Sequence, residues 1–132
     1  MKIDLSPPAC APDAPPLRER PLLTPEQASH LERTFKMLAN TTRLRMLHAL
    51  ARAGELSVSA LAEALGMKPT AVSNQLQRLT YTGVVAPRRD GVQIYYRLLD
   101  PCTASLLDYA WCFTECAAAE ASDWETQEGV AQ

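Results

Sequence analysis

The fold is decided by one stretch, residues 57–83, which reads SVSALAEALGMKPTAVSNQLQRLTYTG. Its first part places Val58, Leu61 and Leu65 on one helical face and ends at Gly66. After a short link, its second part repeats the helical spacing with three more apolar residues: Val72, Leu76 and Leu79. Two helices joined by a tight turn that contains glycine predict a helix-turn-helix.

Two more helices are predicted upstream of this pair. The run Thr24-Pro25-Glu26-Gln27 has the residues of a capping box, with a proline suited to the first turn. The helix that it opens has three apolar residues on one face: Leu31, Phe35 and Leu38. Another helix begins near Asn40, and we expect four of its residues to enter the core: Leu44, Met46, Leu47 and Leu50.

Downstream, the pattern changes from helical to alternating in VVAPRRDGVQIYYRL, residues 84–98. The sequence Arg89-Asp90-Gly91 predicts a turn between two β-strands, and Pro87 indicates that the first strand is short or lies at an edge. Asp100 then opens a last helix, which we expect to end at about residue 121. The predicted fold is mainly α with a small β-hairpin (α+β), a winged helix-turn-helix in the order ααααββα.

The chain of 132 residues is expected to form one folded domain. Residues 1–23 hold six of the ten prolines and predict an extended or mobile arm, residues 24–121 the winged helix-turn-helix and dimerisation domain, and residues 122–132 an acidic tail. The N-terminus has no apolar stretch typical of a secretory signal, and no window reaches the length of a membrane span. We therefore expect a cytoplasmic protein whose four cysteines are free thiols.

The charge is unevenly distributed along the chain. The formal net charge is -2, but residues 40–100 have eight basic and four acidic side chains, a net charge of +4. Residues 101–132 have six acidic side chains and no lysine or arginine. A basic middle segment favours a polyanionic partner, although scattered surface charge would give the same count.

The second helix of the helix-turn-helix has an outward face suited to double-stranded DNA. Short polar groups that can pair with base edges alternate there with cations for phosphates: Lys68, Thr70, Ser73, Asn74, Gln75 and Arg78. A solvated helix face is also polar, but this one has no acidic residue. Arg88 and Arg89 stand at the tip of the hairpin, where a wing would contact DNA.

Three segments resemble the ArsR/SmtB family of metal-sensing repressors: MLANTTRLRMLHAL, ELSVSALAEALGMKPTAVSNQL and RRDGVQIYYRL. The similarity covers roughly residues 30–120. It implies a dimeric winged-helix protein, joined through its terminal helices, that binds operator DNA and releases it when an inducer binds. Many members have cysteines where ELSVS has Ser57 and Ser59, and a hydroxyl is a poor ligand for soft ions. The metal site of that helix is therefore expected to be absent.

The resemblance also implies a second site, on the last helix. Family members combine an aspartate and a histidine near its start with a histidine and a glutamate near its end, from the other subunit. Asp100 matches the aspartate, Cys102 the first histidine and Cys116 the glutamate, while Cys112 lies one residue before the second histidine's place. The frame is similar, but the ligands have become thiols.

Helix geometry supports a shared thiol site. At about 100° per residue, Cys102, Cys112 and Cys116 lie on one stripe, but Cys102 lies about 15 Å along the axis from Cys112. Two antiparallel copies would bring Cys102 of one chain to Cys112 and Cys116 of the other. Three sulfurs favour a thiophilic inducer, namely arsenite, Cd(II), Pb(II) or Zn(II). Asp100 and Cys10 are further candidate ligands, although Asp100 is equally suited to cap the helix.

Three other interpretations remain open at this point. The thiols can be small buried hydrophobic residues at an interface. The protein can be a thiol-based redox or sulfide-sensing repressor of the same fold, because cysteines also form disulfides and polysulfides. It can also be a dimeric interaction module that does not bind DNA. An enzyme is not expected, because the sequence has no phosphate-binding glycine loop and no nucleophile–base pair.

Overall fold

The computed structural model describes the backbone of residues 12–131 and the side chains of residues 12–119. Its elements are five helices and three strands, in the order α1, α2, β1, α3, α4, β2, β3, α5, after a single 3-10 turn at Leu17–Glu19. That turn lies in the proline-rich segment that was expected to be extended. The winged helix-turn-helix is confirmed, with one additional short strand.

The helix-turn-helix consists of α3, Val58–Leu65, and α4, Pro69–Tyr81. The Ser57 hydroxyl oxygen accepts a hydrogen bond from the Ala60 N–H at 3.1 Å and so caps α3. Gly66 ends α3 in the left-handed conformation, with a φ of 66°, which glycine adopts without steric cost. The six residues that the two helices bury are Leu61, Ala62, Leu65, Val72, Leu76 and Leu79.

The two upstream helices are α1, Pro25–Leu38, and α2, Thr41–Ala53. The capping box of α1 is confirmed, because Thr24 and Gln27 exchange hydrogen bonds of 3.0 and 3.1 Å. Asn40 caps α2 by accepting from the Arg43 N–H at 3.0 Å. Both helices begin where the sequence predicts.

The sheet is antiparallel and three-stranded, in the order β1-β3-β2. Strand β2 is Val85–Asp90 and strand β3 is Gln93–Leu98, and their register pairs Asp90 with Gln93. The turn residues are therefore 91 and 92, so the predicted turn at 89–91 is slightly misplaced. Pro87 lies in an edge strand, as expected. Strand β1, Leu56–Ser57, was not predicted.

The last helix, α5, spans Pro101–Ala131 and does not end at residue 121 as the sequence predicts. Its first turn is capped by Asp100, whose Oδ1 accepts a hydrogen bond from the Cys102 N–H at 2.7 Å. No helix in the described part of the chain is long and apolar enough to cross a membrane.

The core lies almost wholly within the central elements. Apart from Leu38, the buried hydrophobic residues lie between Met46 and Tyr96. Leu44, which was expected to enter the core, is exposed, and so are Leu31 and Phe35 on the predicted apolar face of α1. The prediction was wrong for Leu44 because no element among residues 12–119 covers that position, so helical spacing marks an apolar face without identifying what covers it.

Candidate functional site

Helix α4 presents most of the predicted DNA-binding residues to solvent. Lys68, Thr70, Asn74 and Arg78 are exposed, and Ser73 is half-buried. Lys68 occupies the position that precedes the helix without making a side-chain cap, so its ammonium group extends into solvent at the start of α4. None of the residues of α4 is acidic. A phosphate approaching this face therefore meets hydrogen-bond donors and two cations, and no repelling carboxylate.

Gln75 differs from the other predicted base-reading residues in its contacts. At about 100° per residue, its side chain leaves α4 about 140° away from that of Thr70 but about 60° from that of Arg78. It is half-buried, and its Oε1 accepts a hydrogen bond from Arg43 Nε at 2.9 Å. The side chain is thus turned towards α2, and its oxygen is engaged within the protein.

Two residues that the sequence analysis missed belong to the exposed face of α4. Gln77 and Tyr81 follow Asn74 by three and seven residues, a spacing that places all three on one side of a helix. The Tyr81 ring is 94% exposed. Together with Arg78, these residues line an open groove of about 570 Å³ between α4 and the end of α1. The helical period alone was sufficient to identify them.

The two arginines of the hairpin have different surroundings. Arg88 Nε donates to both carboxylate oxygens of Glu55, at 3.1 and 3.2 Å, and its guanidinium lies 4.8 Å from the centre of the Tyr95 ring. The hydrogen bond from Arg88 holds the pKa of the Glu55 carboxyl below its ordinary value. Arg89 makes no ion pair among residues 12–119. Of the two predicted wing cations, Arg89 is therefore the one available to a phosphate.

The cysteines of α5 lie on an open helix. Cys102, in the first turn, is half-buried, whereas Cys112 and Cys116 are exposed. Cys102 is disulfide-bonded, which differs from the expectation that all four cysteines are thiols. The prediction failed because it used cellular context, which cannot show which sulfurs the fold places together. Cys10 lies outside the described residues.

Within residues 12–119, no three cysteine, histidine or carboxylate side chains come close enough to hold a metal ion. This agrees with the separation of about 15 Å that helix geometry gives to Cys102 and Cys112. One oxygen of Asp100 is already used to cap α5. Ser57, at the position of a family cysteine, caps α3.

Comparison with known proteins places this arrangement in context. The family model described as a helix-turn-helix domain matches residues 38–88. The chain is 43% identical over 95 residues to the HTH-type transcriptional regulator NmtR of Mycobacterium tuberculosis, covering 70% of this chain and 78% of that relative.

Solved structures are similar over most of the chain. The crystal structure of the AntR antimony-specific transcriptional repressor matches with a TM-score of 0.70 and 50% identity, over 78% of this chain and 93% of that one. A homodimeric winged helix-turn-helix DNA-binding domain from Mycobacterium bovis matches with a TM-score of 0.61 and 35% identity, over 71% and 89%. The chain belongs to the ArsR/SmtB family of DNA-binding transcriptional regulators, which are not enzymes.

Proposed function

We propose that the protein is a dimeric repressor that binds operator DNA through α4 and the hairpin. In this proposal it releases the DNA when a thiophilic ion binds to the cysteines of α5. The observation that carries the proposal is the state of α5, where every residue from Asp108 to Ala119 is exposed and two of them are cysteines. An isolated helical segment as short as residues 108–119 is only marginally stable in water, so we expect another surface to pack against it.

The DNA-binding part rests on the face of α4 and on charge. Asn74 and Arg78 are exposed there beside Gln77, on a helix without acidic residues. Residues 40–100, which include this helix, have a net charge of +4, and the excess of acidic residues lies in residues 101–132. Membership of a family of DNA-binding regulators argues against an interaction module that does not bind DNA.

The dimer is supported by exposed apolar side chains on the first and last helices. Leu31 and Phe35 of α1 are 43% and 50% exposed, and Trp111 and Phe113 of α5 are 65% and 74% exposed. Large apolar side chains are exposed at protein–protein interfaces until the partner covers them. The similar domain from Mycobacterium bovis is a homodimer.

The ion site is proposed across the dimer, with Cys102 of one chain and Cys112 and Cys116 of the other. Soft thiolates select soft ions, and a set of three sulfurs suits a three-coordinate ion. The similar repressor AntR is antimony-specific, which puts trivalent antimony and arsenic first, ahead of Cd(II), Pb(II) and Zn(II). Bound in this way, the ion would cross-link the two α5 helices.

The disulfide at Cys102 favours the redox alternative. A sulfur in a disulfide is not a thiolate, so Cys102 can act as a ligand only after two electrons and two protons convert the bond to two thiols. In the redox version a dithiol reductant performs that conversion, and the change in α5 itself alters DNA binding. The two functions therefore differ in whether an ion is needed once the protein is reduced.

Both versions are tested by fluorescence anisotropy of the reduced protein on the DNA upstream of its own gene. Antimonite, arsenite, Cd(II), Pb(II) and Zn(II) are titrated in turn. We expect release by one of them, with loss of that response in Cys102→Ser, Cys112→Ser and Cys116→Ser. Thr114→Ser, between two of the cysteines, is the control and keeps the response.

Three results would contradict the ion-sensing proposal. If no ion releases the reduced protein, but oxidation by an organic polysulfide does, the redox function replaces it. If the ion still releases Cys112→Ser, the ligands lie elsewhere. If the reduced protein does not bind duplex DNA even at low salt, where phosphate contacts are strongest, the repressor function is wrong.

A further inference from the structure

Arg43 joins three helices through its side chain. From α2, its Nε donates to Gln75 Oε1 of α4 at 2.9 Å, and its Nη1 donates to the Met37 carbonyl oxygen of α1 at 2.8 Å. Both bonds are part-buried. Because the guanidinium is a rigid plane and its bonds are charge-assisted, two such contacts fix the relative position of their acceptors.

The acceptor on α1 is a group that needs a partner. Met37 lies in the last turn of α1, where carbonyl oxygens have no partner within the helix. A cation is also favoured there because the C-terminus of a helix has partial negative charge. Arg43 therefore holds the end of α1 by an interaction that the helix itself cannot supply.

Helix α1 has few other attachments to the domain. Leu38 is its one buried residue, and Met37 packs against the core partly buried. Further along, Leu31 and Phe35 are exposed on the side proposed to meet the second chain. If the second chain moves, α1 is expected to move with it. The residues at the C-terminal end of α1, which contact the domain, would then transmit this movement to the rest of the protein.

The acceptor on α4, Gln75, limits the rotation of α4 about its own axis and so fixes the direction of its exposed DNA-binding face. Gln75 follows Asn74 directly and precedes the buried Leu76, so its hydrogen bond to Arg43 holds α4 beside the exposed face that includes Asn74 and Arg78. Hydrogen bonds to base edges require donor–acceptor distances of about 2.7 to 3.2 Å. A small rotation or shift of α4 is therefore enough to break them.

We propose that Arg43 is the positioning residue through which a change in the terminal helices reaches α4. The Arg43 guanidinium keeps the recognition helix in register with α1, and Gln75 serves as its acceptor and not as a base reader. This inference rests on the proposed ion-released repressor, because the movement that it transmits is the one caused by the ion.

The test is the ratio of operator Kd values with and without the ion that releases the wild-type protein. Allosteric couplings are commonly about 5- to 150-fold, and we expect Arg43→Met and Gln75→Leu to bring this ratio below about 3-fold. The double variant should be no worse than either single variant, since both remove one contact. Gln75→Glu keeps an acceptor for Arg43 and should keep the ratio.

Two controls separate positioning from other roles. Arg45→Met removes the same charge from an exposed position on α2 and should leave the ratio unchanged. Ion affinity, followed by the absorption of the thiolate–ion bonds, should stay the same in every variant, which a damaged ion site would not allow. If Arg43→Met unfolds, Gln75→Leu tests the same contact with the charge in place.

The outcomes distinguish the two proposals. If the ion releases the wild-type protein and Arg43→Met keeps the full ratio, the positioning role is wrong while the sensor stands. The positioning role is also wrong if Arg43→Met weakens both states equally and lowers the salt dependence, because that is the behaviour of a phosphate contact. If no ion releases the wild-type protein, the sensor fails and the inference fails with it.

Discussion

The centre of the molecule and its last helix use apolar residues in opposite ways. From Met46 to Tyr96, eleven apolar side chains are buried against one another within a single chain. In α5, Leu106 and Leu107 still pack on that core, but the helix beyond them is exposed as far as its side chains are described. The difference indicates that the central elements bury their apolar side chains within one chain, whereas the apolar side chains of the terminal helices need a second chain to cover them.

The largest effect is expected from opening a cavity in the centre. Leu76, on the buried side of α4, is fully inaccessible. Leu76→Ala should lower the free energy of unfolding by about 2–5 kcal/mol. The substitution removes the favourable transfer free energy of the buried methyl groups and leaves a cavity in the core. Urea unfolding monitored by circular dichroism measures it. Leu17→Ala, at an exposed leucine, is the control, and an equal loss there would contradict the contrast.

A second prediction concerns the surface of α5. Trp111→Ser should weaken the dimer at least about tenfold, since buried tryptophans at interfaces commonly contribute about 2 kcal/mol or more. Sedimentation velocity over a dilution series measures the dimer. Unfolding of the monomer should change little, because Trp111 is 65% exposed in the single chain.

The control for that experiment is another exposed aromatic residue. Tyr81 is 94% exposed but lies on the α4 face that is proposed for DNA. Tyr81→Ser should leave the dimer intact and weaken operator binding. If Tyr81→Ser dissociates the dimer while Trp111→Ser does not, the assignment of the two surfaces is reversed.

The sequence predicted local features well and distant partners poorly. The capping box at Thr24, the glycine that ends α3 and the hairpin all depend on neighbouring residues, and all were found. Strand β1 was missed because two residues show no periodicity, and their partner Tyr96 is far along the chain. The Arg43–Gln75 and Glu55–Arg88 contacts join residues 32 and 33 positions apart, which no local pattern encodes.

The same limit applies to the candidate site. Spacing placed the cysteines on one stripe of α5, but it could not show that Cys102 is disulfide-bonded. Helical spacing and residue type assigned Lys68 and five residues of α4 to DNA, but only the structure shows that the oxygen of Gln75 is bound by Arg43. Whether a side chain faces solvent can be predicted from a period, whereas its partner depends on tertiary packing.

A third prediction sharpens the contrast between the two arginines of the wing. Arg89→Ala should weaken operator binding and reduce the slope of log K against log salt by about one, as expected for one phosphate contact. Arg88→Ala should have a smaller effect on both, because Glu55 already neutralises its charge. Anisotropy at several salt concentrations measures both slopes. Equal slopes for the two variants would mean that Arg88 leaves Glu55 when DNA binds.

The smallest effect is expected from Glu55 itself, and its direction is informative. Glu55→Gln removes the charge that holds Arg88, so operator affinity should rise slightly, by about twofold or less for an exposed pair.

Because the pKa of Glu55 is lowered in the folded state, its contribution to stability is present above the ordinary pKa of 4.5 and is lost as the pH falls below it. The wild-type protein should therefore lose stability over that acid range slightly faster than Glu55→Gln. Thermal unfolding from pH 6 to about pH 3 measures the difference. Parallel curves would mean that the ion pair only orients the wing, whereas a fall in operator affinity in Glu55→Gln would show that the pair must stay intact for the wing to reach DNA.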